Sequence, residues 1–195
     1  MSVGQYLVRD ASLKWTVSET PELAPFTVAV VGNAQSLFQE THGDSIDQHD
    51  VVIRMNRAAQ LYDDHLGHEA SHGTRTDVWC MWRYREYEYA QVQEPDVRCQ
   101  MAWWTEPVSQ PGVFNINTSW LSVHMRPHTP TTGMMTLAWL SRMPARVSVY
   151  GFDWKATPTF TDPQRKSEQK SIHNFQWEKE LCQKYFHERL GYEFH

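Results

Sequence analysis

The segment that most limits the fold is Phe26-Thr27-Val28-Ala29-Val30-Val31, a continuous apolar, β-branched run that stops at Gly32-Asn33. It lacks the polar–apolar alternation of a strand with one wet face, so both of its faces must be buried. A parallel sheet covered by helices on both sides meets that requirement. Residues 50–55 predict a second strand ending at Asn56, residues 76–81 a third, 99–104 a fourth, and Val147-Ser148-Val149-Tyr150 another that ends at Gly151. Helix signals lie between them. Gln35–Glu40 can start a helix, and Thr131–Met143 reads as one, with Met134, Leu137, Ala138 and Ser141 on one side, Pro130-Thr131 as start and Pro144 as stop. Asn174–Leu190 reads as a last helix, with Leu181, Cys182, Tyr185 and Phe186 on one face and Gly191 as its terminator. Met1–Thr20 reads as a polar lead, closed by Pro21 and Pro25. Strands alternating with helices predict an α/β domain with a mainly parallel sheet flanked by helices.

Length and charge remove other classes. A chain of 195 residues fits one domain, 1–195. Its 18 Lys and Arg against 23 Asp and Glu give a net charge of −5 without a basic tract, so no nucleic-acid partner is expected. No apolar stretch approaches the roughly 20 residues of a membrane helix. Arg9, Asp10, Lys14 and Glu19 interrupt the first twenty residues, so no secretory signal or anchor is read. The three cysteines, Cys80, Cys99 and Cys182, are widely spaced. They fit reduced, buried thiols in a cytoplasmic protein better than disulfides or a zinc site.

Ligands of parallel sheets sit beyond the carboxyl ends of the strands. Here those ends are Gly32-Asn33, Asn56 and Gly151-Phe152. Glycine admits a ligand close to the backbone, and an asparagine amide both donates and accepts, although each alone also suits a plain turn. Pro130-Thr131-Thr132-Gly133 before an apolar helix joins unpaired N–H groups, two hydroxyls and the helix dipole, a ready anion site as well as an ordinary cap. No Walker lysine follows and no GxGxxG occurs, which sets aside P-loop ATPases and dinucleotide oxidoreductases. His65, His68 and His72 have helical spacing beside Asp63 and Asp64 and offer a metal-hydrolase alternative, weakened by Gly67 and Gly73. His173 stands between the polar stretch 161–170 and the last helix, where it can act as a general base or remain a surface histidine.

Taken in order, these pieces form a pattern. Val28–Asn33, Gly43–Asp50, Val52–Asn56 and Gly73–Thr76 closely resemble the large sialylmotif of the animal-type sialyltransferases, glycosyltransferase family 29, over residues 26–80. Pro130-Thr131-Thr132-Gly133 through Gly151-Phe152 resembles the small sialylmotif, residues 130–152, and His173-Asn174-Phe175-Gln176-Trp177-Glu178 the very small motif, His-x4-Glu, residues 173–178. The resemblance implies a single Rossmann-like domain of a variant GT-A-type glycosyltransferase fold, a CMP-sugar donor and inverting, metal-independent transfer with no cofactor. It implies that Gly32, Asn33 and Asn56 hold the nucleotide and that Thr131, Thr132 and Gly133 surround the CMP group. It further implies that Gly151 and Phe152 lie near the base, that His173 is the catalytic base and that Glu178 accompanies it.

The departures from the family carry information too. Secretory-pathway members have a membrane anchor and a disulfide joining the two large motifs; the matching positions here are Val28 and Pro144, which cannot bridge. The family's His-Tyr-Tyr-like motif has no match between Gly151 and His173, and His128 or Arg165 and Lys166 are the candidates to replace its histidine. Residues 161–171 correspond to the family's lid. A short chain of this kind fits a soluble bacterial member working in the cytoplasm, at the inner face of the membrane, on a glycan, a glycolipid or a lipopolysaccharide sugar. The sugar transferred is then sialic acid or Kdo, both CMP-activated 2-keto acids. Nine Trp, eight Tyr and eight Phe exceed what a core alone needs. Trp104 and Trp120, after the predicted fourth strand, are candidates for the acceptor side, because sugar faces stack on indoles. The alternative is a non-catalytic CMP-sugar or glycan-binding module of the same fold.

Overall fold

The computed structural model describes residues 5–21, 24–56, 59, 67–82, 95–102, 109–118, 128–154, 156–157 and 172–195. Its centre is a seven-stranded sheet, ordered β7-β6-β5-β4-β3-β8-β9, in which every neighbouring pair runs parallel. The strands are β3 (Phe26–Val31), β4 (Val51–Met55), β5 (Val78–Met81), β6 (Val97–Ala102), β7 (Val113–Asn117), β8 (Ala145–Tyr150) and β9 (Glu193–Phe194). The sequence reading of an α/β fold with a mainly parallel sheet holds.

Burial explains the continuous apolar runs. Val28, Val30, Val51, Ile53 and Met55 join one core, and Ala29, Val31 and Val52 join another with Leu37, Ile46 and Tyr150. The first core holds α3 (Thr132–Leu140), all nine residues of which are buried. This helix therefore carries no polar face, and it ends three residues short of the predicted 131–143, with Ser141 as its cap. Among the described residues the other α-helices are α1 (Gly43–Asp47), α2 (Glu69–His72) and α4 (Phe175–Leu181). The last predicted helix, 174–190, is α-helical only over α4 and continues as a π-helical turn, Cys182–His187. The predicted helix at 35–40 is a single 3₁₀ turn, Gln35–Gln39. The predicted fourth strand, 99–104, lies at 97–102.

The N-terminal lead is not an unstructured preface. β1 (Tyr6–Arg9) and β2 (Trp15–Ser18) form an antiparallel hairpin. Leu7 and Trp15 enter the main core, and Arg9, Asp10 and Lys14 fall at or beside its turn, where Asp10 accepts from Ser12 and Lys14 backbone N–H. The hairpin is pinned by the Trp15 indole on the Asp50 carbonyl at 3.2 Å and the Trp139 indole on the Gln5 carbonyl at 2.8 Å.

Strand order locates the ligand crevice. From β3 the chain adds β4 to β7 on one side, then returns through α3 to lay β8 on the other side of β3. The order reverses between β3 and β8, which is where open parallel sheets bind ligands.

Candidate functional site

At that reversal two glycine backbones touch. A methyl group on Gly32 would stand 2.3 Å from the Gly151 carbonyl oxygen, and one on Gly133 would stand 2.7 Å from the Phe152 ring. Gly151 has φ +67°, the left-handed region that glycine enters without strain. The half-buried Phe152 ring thus lies between the end of β3 and the first turn of α3. The carboxyl ends of β3 and β8 and the N-terminus of α3 meet at one place, as the sequence reading expected of Gly32, Gly133, Gly151 and Phe152.

Asn56 ends β4 with φ +49°, a conformation asparagine tolerates better than most residues. Its amide nitrogen donates to Thr132 Oγ1 at 3.2 Å, and its amide oxygen accepts from the Trp82 N–H at 3.2 Å. The Trp79 indole donates to its main-chain carbonyl at 2.9 Å. Asn56 therefore ties β4 to the first turn of α3. Asn33, half-buried, follows Gly32 on the loop that leads to the 3₁₀ turn. That loop is joined to the segment after β8 by Asp153. One of its carboxylate oxygens accepts from Ser36 Oγ at 3.2 Å, from the Thr157 N–H at 2.8 Å and from the Thr157 hydroxyl. Sequence reasoning missed Asp153. The signal it offered was an aspartate two residues past a strand-ending glycine, with a threonine four further on.

Thr131 caps α3 with extended backbone, and its hydroxyl accepts from the Met134 N–H at 3.2 Å. The same hydroxyl donates to Glu178 Oε2 at 2.8 Å, and the Thr131 N–H donates to Glu178 Oε1 at 2.7 Å. Glu178, on α4, is 4% exposed. Burial pushes its carboxyl up to about 7, against the two Thr131 bonds, which favour the ionised form. Its oxygens thus face the α3 cap, and it stands a full turn into the helix, whereas His173 precedes the α4 cap, Asn174.

His173 is half-buried and its Nδ1 lies 2.8 Å from the Thr129 carbonyl. A carbonyl only accepts, so Nδ1 carries the hydrogen and Nε2 is the acceptor of the neutral ring. His128 sits at the same junction, with Nε2 3.3 Å from Asn174 Nδ2 and its ring 5.8 Å from the Trp177 ring. Thus Gly32, Asn56, Thr131, Thr132, Gly133, Gly151, Phe152, His173 and Glu178 gather around the N-terminus of α3. Trp104, Trp120, Arg165, Lys166 and the 161–171 stretch lie outside the described residues.

The metal alternative finds different surroundings. His65 lies outside the described residues; His68 stacks on Phe38 at 4.1 Å, and the buried His72 has Nδ1 2.8 Å from the Gly73 carbonyl. Burial holds the His72 imidazole below its ordinary value. α2 is a four-residue helix with His68 at its cap, not a helix spanning all three histidines. Among the described residues no group of three or more His, Cys, Asp or Glu is placed to hold a metal ion. The three cysteines are buried free thiols.

Comparison with known proteins came to the same family. The model for glycosyltransferase family 29 (sialyltransferase) matches residues 12–110. A chicken (Gallus gallus) protein, CMP-N-acetylneuraminate-beta-galactosamide-alpha-2,3-sialyltransferase 1, is 47% identical over 45 residues, which is 23% of this chain and 13% of that protein. Among solved structures, a mammalian sialyltransferase superposes with a TM-score of 0.63 at 17% identity, over 87% of this chain and 68% of that one. A mammalian sialyltransferase in complex with Gal-beta-1-3GalNAc-ortho-nitrophenol gives 0.61 at 17% identity, over 87% and 69%. At that identity the structural likeness speaks for the fold.

Proposed function

Because this chain belongs to glycosyltransferase family 29, the sialyltransferases, we propose that it transfers sialic acid from CMP-sialic acid to a glycan hydroxyl, with inversion at the anomeric carbon. The observation that carries this reading is that Asn56, Thr131–Gly133 and His173 converge on the N-terminus of α3, beside the sheet's reversal point.

Each part has a task. Thr132 and Gly133, in the first turn of α3, have no carbonyl four residues back within the helix to pair with their N–H groups. With the helix dipole they receive the donor phosphate and stabilise charge as it develops on the departing CMP. Asn33 and Asn56 hold the nucleotide, and Gly32, Gly151 and Phe152 shape the floor beneath it. The acceptor oxygen attacks the anomeric carbon, the bond from that carbon to the phosphate oxygen breaks, and its electron pair leaves with CMP. His173 Nε2 takes the acceptor's proton, a step worth on the order of 10²–10⁴-fold. Trp104 and Trp120 are proposed for the acceptor side. A cytoplasmic location, at the inner face of the membrane, accompanies this reading and is supported by the three buried thiols.

The test is CMP release and product mass spectrometry with CMP-sialic acid and CMP-Kdo, each against galactoside, glycolipid and lipopolysaccharide acceptors. Sialylated product with the parent, and turnover reduced by orders of magnitude in His173→Ala with CMP binding kept, are the expected results. Tight CMP binding with no CMP release from either donor overturns the enzyme reading in favour of a binding module. Release from CMP-Kdo alone reassigns the sugar. Equal loss of CMP binding and turnover in His173→Ala makes His173 a donor ligand instead of the base.

A further inference from the structure

The strap from His128 to Thr131, which leads into α3, is stitched to the start of α4 at three points. Asn174 Nδ2 meets His128 Nε2 at 3.3 Å, His173 Nδ1 meets the Thr129 carbonyl at 2.8 Å, and Glu178 takes both the N–H and the hydroxyl of Thr131 at 2.7 and 2.8 Å. The Asn174 amide oxygen accepts the Trp177 N–H at 3.0 Å, the capping bond of α4. That bond fixes the amide nitrogen toward His128, so Nδ2 donates and His128 Nε2 accepts, which requires an unprotonated Nε2.

We propose that Asn174 and Glu178 are positioning residues for the transfer step: by closing this seam they set where His173 stands relative to the N-terminus of α3. The inference rests on the reading above, in which His173 is the base and α3 receives the donor. His173 is outside α4; its ring lies 5.9 Å from that of Phe175 at the start of the helix, and its Nδ1 is bonded to the Thr129 carbonyl, which moves with the strap. The strap's far end is held by Glu178 and its near end by Asn174. A misplacement of about 1 Å at a reacting group costs on the order of 100-fold in rate. Glu178 thus acts through Thr131 and His173 without exchanging a proton with substrate. Other titratable groups at the seam are Cys182, one turn along α4, and His128. Lys179 turns away, its ammonium 5.7 Å from the Trp154 ring.

Asn174→Asp separates the seam from the cap. Aspartate caps a helix as well as asparagine does, but it cannot donate to a neutral His128. The expected result is a thermal midpoint close to the parent's, a kcat lowered tenfold or more at about pH 8 and a donor KM little changed. Glu178→Ala should lower kcat in the same way, and Glu178→Gln, whose amide oxygen still accepts the Thr131 N–H, should restore most of it. A ¹⁵N spectrum of histidine-labelled protein gives a readout that needs no turnover: the parent's Nδ1–H tautomer at His173 is lost in Asn174→Asp and Glu178→Ala. If the parent releases no CMP, the transferase reading fails, while the seam is still judged by that spectrum. An unchanged His173 tautomer in both variants, parental kcat in Asn174→Asp, or Glu178→Gln as impaired as Glu178→Ala overturns the proposal; the last outcome would make Glu178 an acid or base.

Discussion

Replacing Glu178 by Gln should change the pH dependence of stability in one direction only. In the folded chain two effects oppose each other at this carboxyl. The Thr131 N–H, the Thr131 hydroxyl and the α3 dipole favour the anion, and burial at 4% exposure disfavours it. Burial wins, so the group stands at about 7 in place of its ordinary 4.5. Between those two values the unfolded chain is ionised while the folded one holds a proton. The unfolded state binds fewer protons there, so stability falls as pH rises and levels off above about 7. At 1.36 kcal/mol per pH unit, the span from 4.5 to about 7 is worth about 3 kcal/mol. Glutamine cannot titrate. It keeps an oxygen for the Thr131 N–H and offers its amide hydrogens to the Thr131 hydroxyl, so shape and packing are preserved. The stability of Glu178→Gln minus that of the parent should therefore rise by about 3 kcal/mol from pH 4.5 to 7.5, with the other groups cancelling. In a chain of this size that is a relative shift of roughly 6–12 °C in thermal midpoint. Urea titrations of both proteins across the range measure the difference directly. Parallel curves would refute the burial argument, and a difference that shrinks as pH rises would reverse its sign.

Three further outcomes are expected, two from the site's geometry and one from the proposed acceptor side. Gly32→Ala brings a methyl group 2.3 Å from the Gly151 carbonyl, backbone that cannot swing aside; it should cost about 1–3 kcal/mol or more and weaken CMP binding, seen by thermal melts and calorimetry. Asp153→Ala removes the acceptor shared by Ser36 and Thr157, should cost about 1–3 kcal/mol and should raise the donor KM, because Asn33 lies on the loop it anchors. Trp104→Ala or Trp120→Ala should raise the acceptor KM more than the donor KM in steady-state kinetics; the reverse ratio would place them on the donor side.

What the sequence disclosed and what it hid have physical causes. β3, β4 and β8 are legible because most of their residues are apolar, as strands largely buried in a parallel sheet require, and the buried Arg54 of β4 is tolerated because it is hydrogen-bonded. The hairpin is not, since only Leu7 and Trp15 in it are deeply buried and its charges sit where the turn needs them. β7, with Asn115 and Asn117 in five residues, stands at the end of the sheet among the described strands, and the two-residue β9 is too short to show a pattern. α3 shows no clean period for the opposite reason: every side of it is core. At the site, the strand-ending glycines and asparagines are legible from type and place. The partner of Glu178 is not, because a His-x4-Glu spacing suggests two groups acting together, and only the three-dimensional crossing of the strap over α4 sends the carboxylate to Thr131.

The residues that make the large motif recognisable mostly build scaffold. Asp47 accepts from the Thr74 N–H at 2.7 Å and the Arg75 N–H at 3.1 Å, and a methyl on Gly73 would stand 2.5 Å from its carboxylate. The Arg75 guanidinium reaches the Asp47 and His49 carbonyls and the Asp77 carboxylate, which in turn holds the Val52 N–H. Arg54, wholly buried, spends its guanidinium on the Arg75 and His72 carbonyls. These bonds fix where β4 ends, and so where Asn56 stands. The family match, residues 12–110, covers this scaffold and the two asparagines but stops before Thr131 and His173. The position of Asn56 is thus fixed within the first half of the chain by buried bonds. The seam between the strap and α4, proposed to position the base, lies in the second half, and its Asn174 and His128 are half-buried and outside that network. Under the proposed reading, substitutions at the seam leave these scaffold bonds intact, which is why Asn174→Asp should fold and yet lose rate, while Glu178→Gln should fold and keep most of it.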